Sequence, residues 1–330
     1  MSSKKSRFLE LLIIGICSLI LILVFEIFIP SLKEEKVSVI IPLNTGSKEI
    51  ANILFQQKII KNKSLFIFIS RILGKEKHLK AGRYEFTPSD NMLDVLNKLR
   101  RGQISICRLT IPEGLPWWKI ADLLTRNKVI KREDFVKLIK EPQIFKDEVS
   151  FSLPENTLEG YLYPDTYYFT GRETPKEVIK KFILRFEEEI IPLYKKRRSK
   201  FSLKEIVTLA SIIEKEAKVS FEKPIISAVF YNRLQKGMKL RADPTIKYAM
   251  GNFQEKLTYE DLKISSSYNT YLHYGLPPTP ICNPGKESIY AALYPASVDY
   301  LYFVAKGDGT HKFSKTYKEH LIAIYKYQKG

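Results

Sequence analysis

Two glutamates close an otherwise apolar segment of this chain. Residues 210–217 read Ala-Ser-Ile-Ile-Glu-Lys-Glu-Ala, so Glu214 and Glu216 follow a run of aliphatic residues. Carboxylates are seldom buried unless they are paired or used in chemistry. A carboxyl group in apolar surroundings keeps its proton to higher pH and can act as a general acid near neutrality. The pair is therefore a candidate for acid catalysis, and the alternative is that both groups are solvated at a helix end.

The residues before the glutamates predict the helix that must position them. Ser202 and Glu205 form a capping box, and apolar residues from Leu203 onward cover nearly the whole circumference of the helix. A helix that is apolar all round belongs in a core. Glu214 and Glu216 then emerge at its C-terminal end, where burial and the helix dipole both raise a carboxyl pKa. Residues two positions apart on a helix point in directions that differ by about 200°. The side chains of Glu214 and Glu216 therefore do not share one pocket wall.

Polar residues on stiff loops surround this helix in the sequence. A second helix is predicted after it, with Ser220 as its cap, Pro224 in its first turn and Gly237 at its end. Loops fixed by Pro or Gly follow, and rigid loops are good places to hold a polar ligand. An aromatic-rich loop at 158–167 precedes the helix; aromatic rings beside a carboxylate often form a sugar platform, and they are also common core residues.

The composition bounds the class of protein. The 330 residues are enough for two or more domains, and the net charge is +18. A basic balance suits nucleic acid, an anionic lipid or an acidic polymer, or it reflects a Lys-rich composition. No basic stripe with interleaved aromatic residues indicates a nucleic-acid module, so no nucleic-acid partner is expected.

Metal and cofactor motifs are missing from the sequence. It has no H-E-x-x-H or C-x-x-C spacing, no G-x-S-x-G, no Walker A and no G-x-G-x-x-G. We therefore expect neither a metal nor a cofactor. Cys17 falls in an apolar run, and Cys107 and Cys282 either form one disulfide or, as we expect without a disulfide framework, stay free.

The N-terminus predicts a membrane anchor. Lys4, Lys5 and Arg7 precede an apolar run over 11–29, which as a helix spans roughly 28 Å, close to the hydrocarbon thickness. The positive-inside rule places residues 1–10 in the cytoplasm and the bulk of the chain outside, periplasmic or extracellular, on the inner or plasma membrane. A cleaved signal peptide is the alternative, but no small-x-small site follows the run.

An internal repeat with an offset of 70 residues occupies the next part of the chain. Ile41-Pro42 matches Ile111-Pro112, and Lys58-Ile59-Ile60-Lys61 matches Lys128-Val129-Ile130-Lys131. Each copy predicts a short strand, a turn and a helix, then a second helix from Ser64 or Asp134. Neither copy contains an obvious catalytic group, so the repeat is expected to present a surface.

Several stretches together resemble the endolytic murein transglycosylase family, the MltG or YceG-like proteins. They occur in family order over about residues 155 to 315. The matching stretches are LEGYLYPDTY, ASIIEKEA, VFYNRL, GMKLRADPTIKYAMG, SYNTY, GLPPTPICNPG and YLYFVAKGDGTHKF. The resemblance implies an α+β fold with an N-terminal transmembrane helix, a LysM-like small α/β region at 37–135 and a mixed α/β catalytic domain at 136–330. A lyase role in folate synthesis, a label some members have carried, has no support here.

The resemblance also implies roles for particular residues. Glu216 matches the family's catalytic acid, and Glu214 is expected to support it. Substrate-binding roles, each with a structural role as the alternative, are expected for Tyr161, Asp165, Asn232, Arg233, Asp243, Thr245, Tyr268, Asn269 and Tyr271. The loop has Tyr161-Leu162-Tyr163 where some members carry tryptophan, which alters stacking on a sugar but not the class of chemistry.

The reaction that the resemblance implies is cleavage of the β-1,4 bond between N-acetylmuramic acid and N-acetylglucosamine in nascent peptidoglycan. The muramoyl 6-hydroxyl closes on C1, no water is consumed, and one carboxyl suffices where most glycosidases need two. Peptidoglycan synthases are expected partners by family analogy only. Two alternatives stay open. One is a muramidase-type hydrolase with a second carboxylate among Glu159, Asp165 and Asp243, and the other is a non-catalytic glycan-binding scaffold.

Overall fold

A computed structural model describes the chain over 2–31, 35–197, 199–253 and 256–328, with side chains from residue 10 onward. The chain divides into two compact units. The first consists of Met1–Arg108 with Tyr168–Glu173, and the second of Leu109–Tyr167 with Thr174–Gly330. In the described part of the chain the strands are short and pair into two-stranded sheets among many helices. The predicted mixture of helices and strands is confirmed.

The first unit begins with a long helix and continues as a small α/β fold. Its elements are α1 (Ser2–Phe28), β1 (Val37–Ile41), α2 (Ser47–Gln56), α3 (Lys63–Ile72), β2 (Gly82–Phe86) and α4 (Met92–Arg101). The antiparallel β1–β2 pair places Val39 opposite Tyr84. Both residues are buried, because alternate positions of the two strands face the helices. Asn91 caps α4 in a capping box, which fixes the start of this helix at Met92.

Among the described residues, one helix is long and apolar enough to cross a membrane. The segment Glu10–Phe28 of α1 has a mean hydropathy of 3.0 and none of it is buried. This agrees closely with the predicted span over 11–29. The side chains of Lys4, Lys5 and Arg7, on which the predicted orientation depends, lie outside the described residues.

The second unit contains most of the helices. Its elements are α5 (Trp117–Arg126), α6 (Arg132–Ile139), α7 (Pro175–Arg197), α8 (Leu203–Glu216), α9 (Lys223–Gln235), α10 (Asp243–Ala249), α11 (Lys286–Leu293), β5 (Tyr302–Ala305), β6 (His311–Ser314) and α12 (Tyr317–Gln328). Two further strands, β3 (Cys107–Thr110) and β4 (Thr166–Phe169), span residues of both units.

The helix that ends at Glu216 lies in the core of the second unit. Every residue of α8 from Ile206 to Ile213 is buried, as an all-round apolar helix requires. Ser202 accepts from the backbone N–H of Glu205, while the Glu205 side chain accepts from the N–H of Ser202, so the predicted capping box is present. The next helix, α9, starts at Lys223, and Ser220 donates to Glu287 rather than capping it. The predicted Ser220 cap is therefore wrong, because a 3₁₀ turn precedes the helix.

The repeat is visible in the backbone. Helices α2 and α5 occupy Ser47–Gln56 and Trp117–Arg126, an offset of 70 residues. Lys58 and Lys128 follow them, and both adopt positive φ, of 58° and 53°. The second helices begin at Lys63 and Arg132, within two residues of the predicted starts.

The two copies fall in different compact units. The division between Arg108 and Leu109 lies 27 residues before the expected boundary at 135/136 (135 − 108). The bounds 37–135 and 136–330 therefore stay a prediction, as does the likeness of the first of these regions to LysM.

Candidate active site

Glu216 is the last residue of α8 and lines an open cavity of about 840 Å³. Burial of the carboxyl raises its pKa to about 8, and the negative charge of Asp243 adds to this. Arg233 and Lys247 act in the opposite direction without cancelling the shift. No protein group hydrogen-bonds this carboxyl in the described part of the chain. Glu216 is thus protonated at neutral pH with its proton available to a ligand.

The cavity brings together four of the predicted site residues, which are Glu216, Arg233, Asp243 and Tyr271. The Tyr271 hydroxyl donates to Asp243 Oδ1 at 2.5 Å. This bond fixes a carboxylate beside the protonated Glu216. The cavity wall therefore combines an acid (Glu216), an anion (Asp243) and a cation (Arg233). This combination suits a polar ligand whose charge changes during reaction.

Two of the predicted residues hold the loop that carries Asp243. Thr245 is fully buried, donates to the carbonyl of Ala242 at 2.7 Å and contacts the hydroxyl of Thr270. Asn269 is also buried, and its amide donates to backbone carbonyls while its oxygen accepts from the N–H of Tyr271. Neither lines the cavity, so both position residues that do.

The segment just before α10 has a strained backbone at Arg241. Arg241 lines the cavity and adopts φ of 48°, a left-handed conformation that is uncommon for a residue with a side chain. Its N–H donates to the Thr270 carbonyl at 3.1 Å, and the next N–H donates to the Thr270 hydroxyl at 2.9 Å. These bonds hold Arg241 in the left-handed conformation. Strained backbone of this kind is concentrated at functional sites.

Asn232 and Arg233 connect α9 to the segment that precedes β5. The Asn232 amide donates to the carbonyls of Val298 and Tyr300 at 2.8 and 2.9 Å, so it supports the entry to β5. Arg233 donates to the carbonyls of Leu301 and Leu240 and lies over the ring of Tyr302, 5.4 Å from its centroid. Asn232 is therefore structural, whereas Arg233 both supports the wall and lines the cavity.

A histidine held by a buried glutamate was missed in the sequence. His311, the first residue of β6, lines the cavity, and its Nδ1 lies 2.7 Å from Glu222 Oε2. A carboxylate only accepts, so Nδ1 donates to Glu222 and Nε2 is the ring nitrogen that Glu222 does not use. The backbone N–H of His311 also donates to Glu222 at 2.9 Å. Glu222 thus fixes both the ring and the strand that carries it.

A second histidine, His320 on α12, also lines the cavity. Its ring stacks on Tyr302 at 5.1 Å, and its Nδ1 is buried without a partner among the described residues. Burial, and then the charge of Arg233, lowers the pKa of His320, so it is neutral at pH 7. His311 was within the stretch that resembles the family, whereas nothing in the local pattern around His320 indicated a site.

Glu214 occupies a different environment from Glu216, as the helical geometry predicted. It accepts from the Ser288 hydroxyl at 2.5 Å and from the N–H of Gly285 at 3.2 Å. Lys223 lies 3.5 Å away. Because Glu214 does not line the cavity and joins α8 to α11, it supports the helix end rather than a ligand.

Glu159 is a buried structural carboxyl. It accepts from the N–H of Trp117, the hydroxyl of Tyr248 and the amide of Asn283, the last at 2.8 Å. Burial raises the pKa of Glu159 to about 8 even though these donors favour the charged form. It does not line the cavity with Glu216.

The remaining predicted residues lie outside the cavity. The structure gives Tyr161 no free face for a sugar, because the ring is 1% exposed and packs between Phe151 and Phe186. Asp165 pairs with Arg185 at 2.6 Å. Tyr268 packs on Tyr248, with its hydroxyl 2.6 Å from that of Thr279. Tyr161 belongs to the core, since its large apolar ring fills space between α7 and the 158–167 loop.

The three cysteines form no disulfide in the described part of the chain. Cys17, Cys107 and Cys282 are free thiols. No group of three or more His, Cys, Asp or Glu side chains within the described ranges has the arrangement to hold a metal ion.

Comparison with known proteins places these features in a family. The YceG-like family model matches residues 39–326. The endolytic murein transglycosylase of Bacillus subtilis (strain 168) is 35% identical over 314 residues, which is 90% of this chain and 87% of that protein. The protein of the same name from Streptococcus pneumoniae (serotype 2, strain D39) is 29% identical, and the match covers 82% of this chain and 54% of that longer protein.

A solved structure also matches. The crystal structure of a YceG-like protein from Listeria monocytogenes has a TM-score of 0.62 and 37% sequence identity over 88% of this chain and 99% of that one. With a family model that spans most of the chain and a relative 35% identical over 90% of it, this protein belongs to the YceG-like family.

Proposed function

We propose that this protein is a membrane-anchored endolytic lytic transglycosylase, a lyase that cleaves MurNAc–GlcNAc β-1,4 bonds in nascent glycan strands. The observation that carries the proposal is Glu216, a carboxyl with a pKa of about 8 on the wall of an open cavity. The name endolytic murein transglycosylase, which relatives from Bacillus and Streptococcus bear, supports the same reaction. Glu216 is the catalytic acid.

The reaction proceeds with one carboxyl that acts twice. Glu216 donates its proton to the leaving oxygen on C4 of N-acetylglucosamine as the bond to muramoyl C1 breaks. The Glu216 carboxylate then takes the proton of the muramoyl 6-hydroxyl while O6 bonds to C1. The products are a free 4-hydroxyl and a 1,6-anhydro end, and no water is used. An internal nucleophile has a large effective concentration, which makes a second carboxyl unnecessary.

The other cavity residues stabilise and orient the reacting sugars. Asp243, fixed by Tyr271, places a negative charge where positive charge develops on C1. His311, fixed by Glu222 through Nδ1, offers Nε2 as a hydrogen-bonding atom to a sugar hydroxyl. Arg233 and Tyr302 provide a cationic and an aromatic surface on the same wall.

A muramidase-type hydrolase is the second candidate, and one observation favours it. Of the three carboxylates proposed for such an enzyme, Asp243 shares the cavity with Glu216, whereas Glu159 is buried elsewhere and Asp165 is paired with Arg185. A hydrolase would use Asp243 as nucleophile or base and would produce a reducing end. The two reactions differ by one water in the product.

The test is product analysis with the full chain in lipid nanodiscs. Uncrosslinked glycan strands are digested in heavy-oxygen water, and the new ends are identified by mass spectrometry. We expect unlabelled anhydro ends; labelled reducing ends as the main product would show a hydrolase. Glu216→Gln should abolish cleavage, and Glu214→Gln, a matched change on the same helix end, should lose less. Full turnover by Glu216→Gln would refute Glu216 as the acid, whereas no cleavage by the unaltered chain would leave a scaffold as the function.

The anchor and the first unit complete the proposal. Helix α1 would hold the enzyme on the plasma or inner membrane, with the N-terminus cytoplasmic and the cavity outside, close to membrane-linked nascent strands. Cleavage there would terminate strand elongation beside peptidoglycan synthases, the expected partners. The LysM-like region at 37–135 would bind glycan or position the enzyme, and the domain at 136–330 would perform the chemistry.

A further inference from the structure

The C-terminal end of α1 packs against the first unit's core. Leu23 and Ile27 pack against the buried cluster of that unit. The Asn62 amide at the start of α3 donates to the Glu26 carboxylate at 3.1 Å, and Lys61 lies 4.7 Å from the ring centroid of Phe25. The residues around Asn62 are therefore fixed to the last two turns of the apolar helix.

These contacts set the depth of the first unit. The apolar segment ends at Phe28, and Leu23 lies about 7.5 Å before that end along the helix axis. If α1 spans the membrane, a domain in contact with Leu23 reaches the headgroup region. The surface beside the start of α3 then faces lipid headgroups rather than bulk water.

Helix α3 presents an apolar face that the unit does not cover. Leu65 and Phe66 are buried, but Phe68 is 60% exposed, Ile72 is 66% exposed and Leu73 is 45% exposed. Phe68 and Ile72 are four positions apart and so share one side of the helix. Large exposed apolar groups that lie together mark an interaction surface.

A basic pocket adjoins this face through Leu73. It has a volume of about 590 Å³, and its charged lining is Lys75, Lys77, Lys80 and Arg100. Within the described ranges none of its lysines or its arginine forms an ion pair. The nearby acid, Glu76, is bound by Arg71 at 3.1 Å and by Ser47 at 2.9 Å, so its charge is already paired.

We propose that this lipid-facing surface, defined by Phe68, Ile72, Leu73 and the basic pocket, docks on the anionic membrane that α1 spans. The apolar side chains insert at the acyl–headgroup boundary and the pocket takes a lipid phosphate, the combination found in interfacial helices. The inference rests on the proposed membrane anchor. It adds a second attachment, which fixes the first unit at the bilayer surface instead of leaving it to swing on α1.

Spin labels on the full chain in vesicles test the proposal. Cys107 and Cys17 are changed to Ser and Ile72→Cys takes the label; Cys282 does not react, because it is buried and its pKa is raised. A second protein keeps Cys17 as the only reactive thiol and reports on α1, where Cys17 is exposed. Collisions with oxygen, which concentrates in lipid, are compared with those of a water-soluble nickel complex.

In vesicles with phosphatidylglycerol we expect both labels to be accessible to oxygen and protected from nickel. A lipid-exposed Cys17 with a water-exposed residue 72 would overturn the docking surface while leaving the anchor intact. A residue-72 label inaccessible to both reagents would mean that protein covers the face, which also overturns the proposal. A water-exposed Cys17 would refute the anchor itself.

The charge of the pocket is tested separately. Lys77→Gln with Lys80→Gln, or vesicles of phosphatidylcholine alone, should lower the oxygen-to-nickel ratio at residue 72 at least severalfold. The matched control changes two exposed lysines of the second unit, Lys204→Gln with Lys218→Gln, and should leave the ratio unchanged. An equal ratio in phosphatidylcholine and phosphatidylglycerol would refute the anionic ligand.

Discussion

At the scale of single residues, the chemistry depends on a proton held at neutral pH by Glu216. The group acts as an acid only while protonated, and burial with the neighbouring charge of Asp243 places its pKa at about 8. Activity should therefore fall as the pH rises through about 8. The local pattern of an apolar helix ending in carboxylates pointed to Glu214 and Glu216 together, because desolvation can be inferred from the neighbours in sequence. The family resemblance then selected Glu216.

Replacing the neighbouring charge tests this account. In Asp243→Asn the like charge is gone while the Tyr271 hydroxyl keeps an oxygen to donate to, so the pKa of Glu216 falls. The alkaline limb of kcat/KM should move to lower pH, with activity at pH 6 reduced by no more than about tenfold, one lost charge interaction. Asp299→Asn, a change at an exposed carboxylate, is the control. If the alkaline limb of kcat/KM stays at the pH of the unaltered protein, the charge of Asp243 does not raise the pKa of Glu216.

A second residue-scale prediction concerns His311 and Glu222. His311→Gln should lower kcat/KM by roughly tenfold, the loss of one hydrogen bond to substrate. Glu222→Gln should lower it by less, because the ring loses a charged partner but keeps Nε2 in the cavity. If Glu222 acts through His311, the double variant should be no worse than His311→Gln alone.

Measurement of kcat/KM and of unfolding for all three variants separates this from a fold defect. A purely structural role for Glu222 would instead make the two losses in kcat/KM multiply, and the unfolding midpoint would fall with activity.

At the scale of elements, α8 must be held so that its last residue meets the cavity. Gly160 contributes to this, because its N–H donates to Asn283 at 2.9 Å and its backbone passes closely over α8. It has φ of 90°, and a Cβ there would lie 2.5 Å from Pro280 Cγ and 2.8 Å from Val207 Cγ1. Only glycine fits this conformation and this spacing.

Gly160→Ala should lower the free energy of unfolding by about 2–4 kcal/mol, from left-handed strain and overpacking together. Gly237→Ala is the matched control, since Gly237 also has positive φ, 64°, but has no heavy atom within 4 Å of an added Cβ. That change should cost only about 1 kcal/mol. Urea unfolding followed by tryptophan fluorescence measures both; equal losses would show that the contact with Pro280 is unimportant.

Local elements could be predicted from the sequence, because their signals lie within a few residues. The capping box at Ser202, the all-round apolar α8 and the repeat of α2 in α5 follow from spacing alone. The start of α9 was misplaced because Ser220 satisfies its hydroxyl with Glu287, a residue of α11. Tertiary partners of this kind are invisible in a local pattern.

The assembly of the site could be predicted only in part. Among the residues that the resemblance assigned to substrate binding, Asp243 and Tyr271 line the cavity. Asn232, Thr245 and Asn269 do not, because their polar groups bind backbone atoms. Residue type alone cannot separate a group that binds a ligand from one that satisfies a buried carbonyl. The wall from β5, β6 and α12 comes from a distant part of the chain, and only the fold brings it to Glu216.

At the scale of the whole molecule, the second unit contains two carboxyls that are protonated at neutral pH. The free energy of unfolding of this unit should therefore depend on pH. Glu159 and Glu216 have a pKa of about 8 in the fold, above the ordinary value of 4.5. At pH 7 both are ionised in the unfolded chain and mostly protonated in the native one. The native state therefore binds more protons, and stability falls as the pH rises toward 8.

The window of pH 7 to 8 isolates these two groups. His320, whose pKa is lowered, is neutral there in both states, whereas below about pH 6.5 it would contribute the opposite slope. Each glutamate contributes up to about 1.4 kcal/mol per pH unit. The chain's two tryptophans, Trp117 and Trp118, lie in the second unit, so their fluorescence reports on its unfolding.

Glu159→Gln should reduce the slope of unfolding free energy against pH by about half, since one of the two groups no longer titrates. The absolute stability should also drop, because the amide offers one acceptor oxygen where the carboxyl offers two to Trp117, Tyr248 and Asn283. Glu155→Gln, at an exposed position nearby, should change neither quantity. The slope, unlike the stability, cannot be altered by lost packing alone. An unchanged slope in Glu159→Gln would mean that this carboxyl is ionised in the fold and that its three donors outweigh its burial.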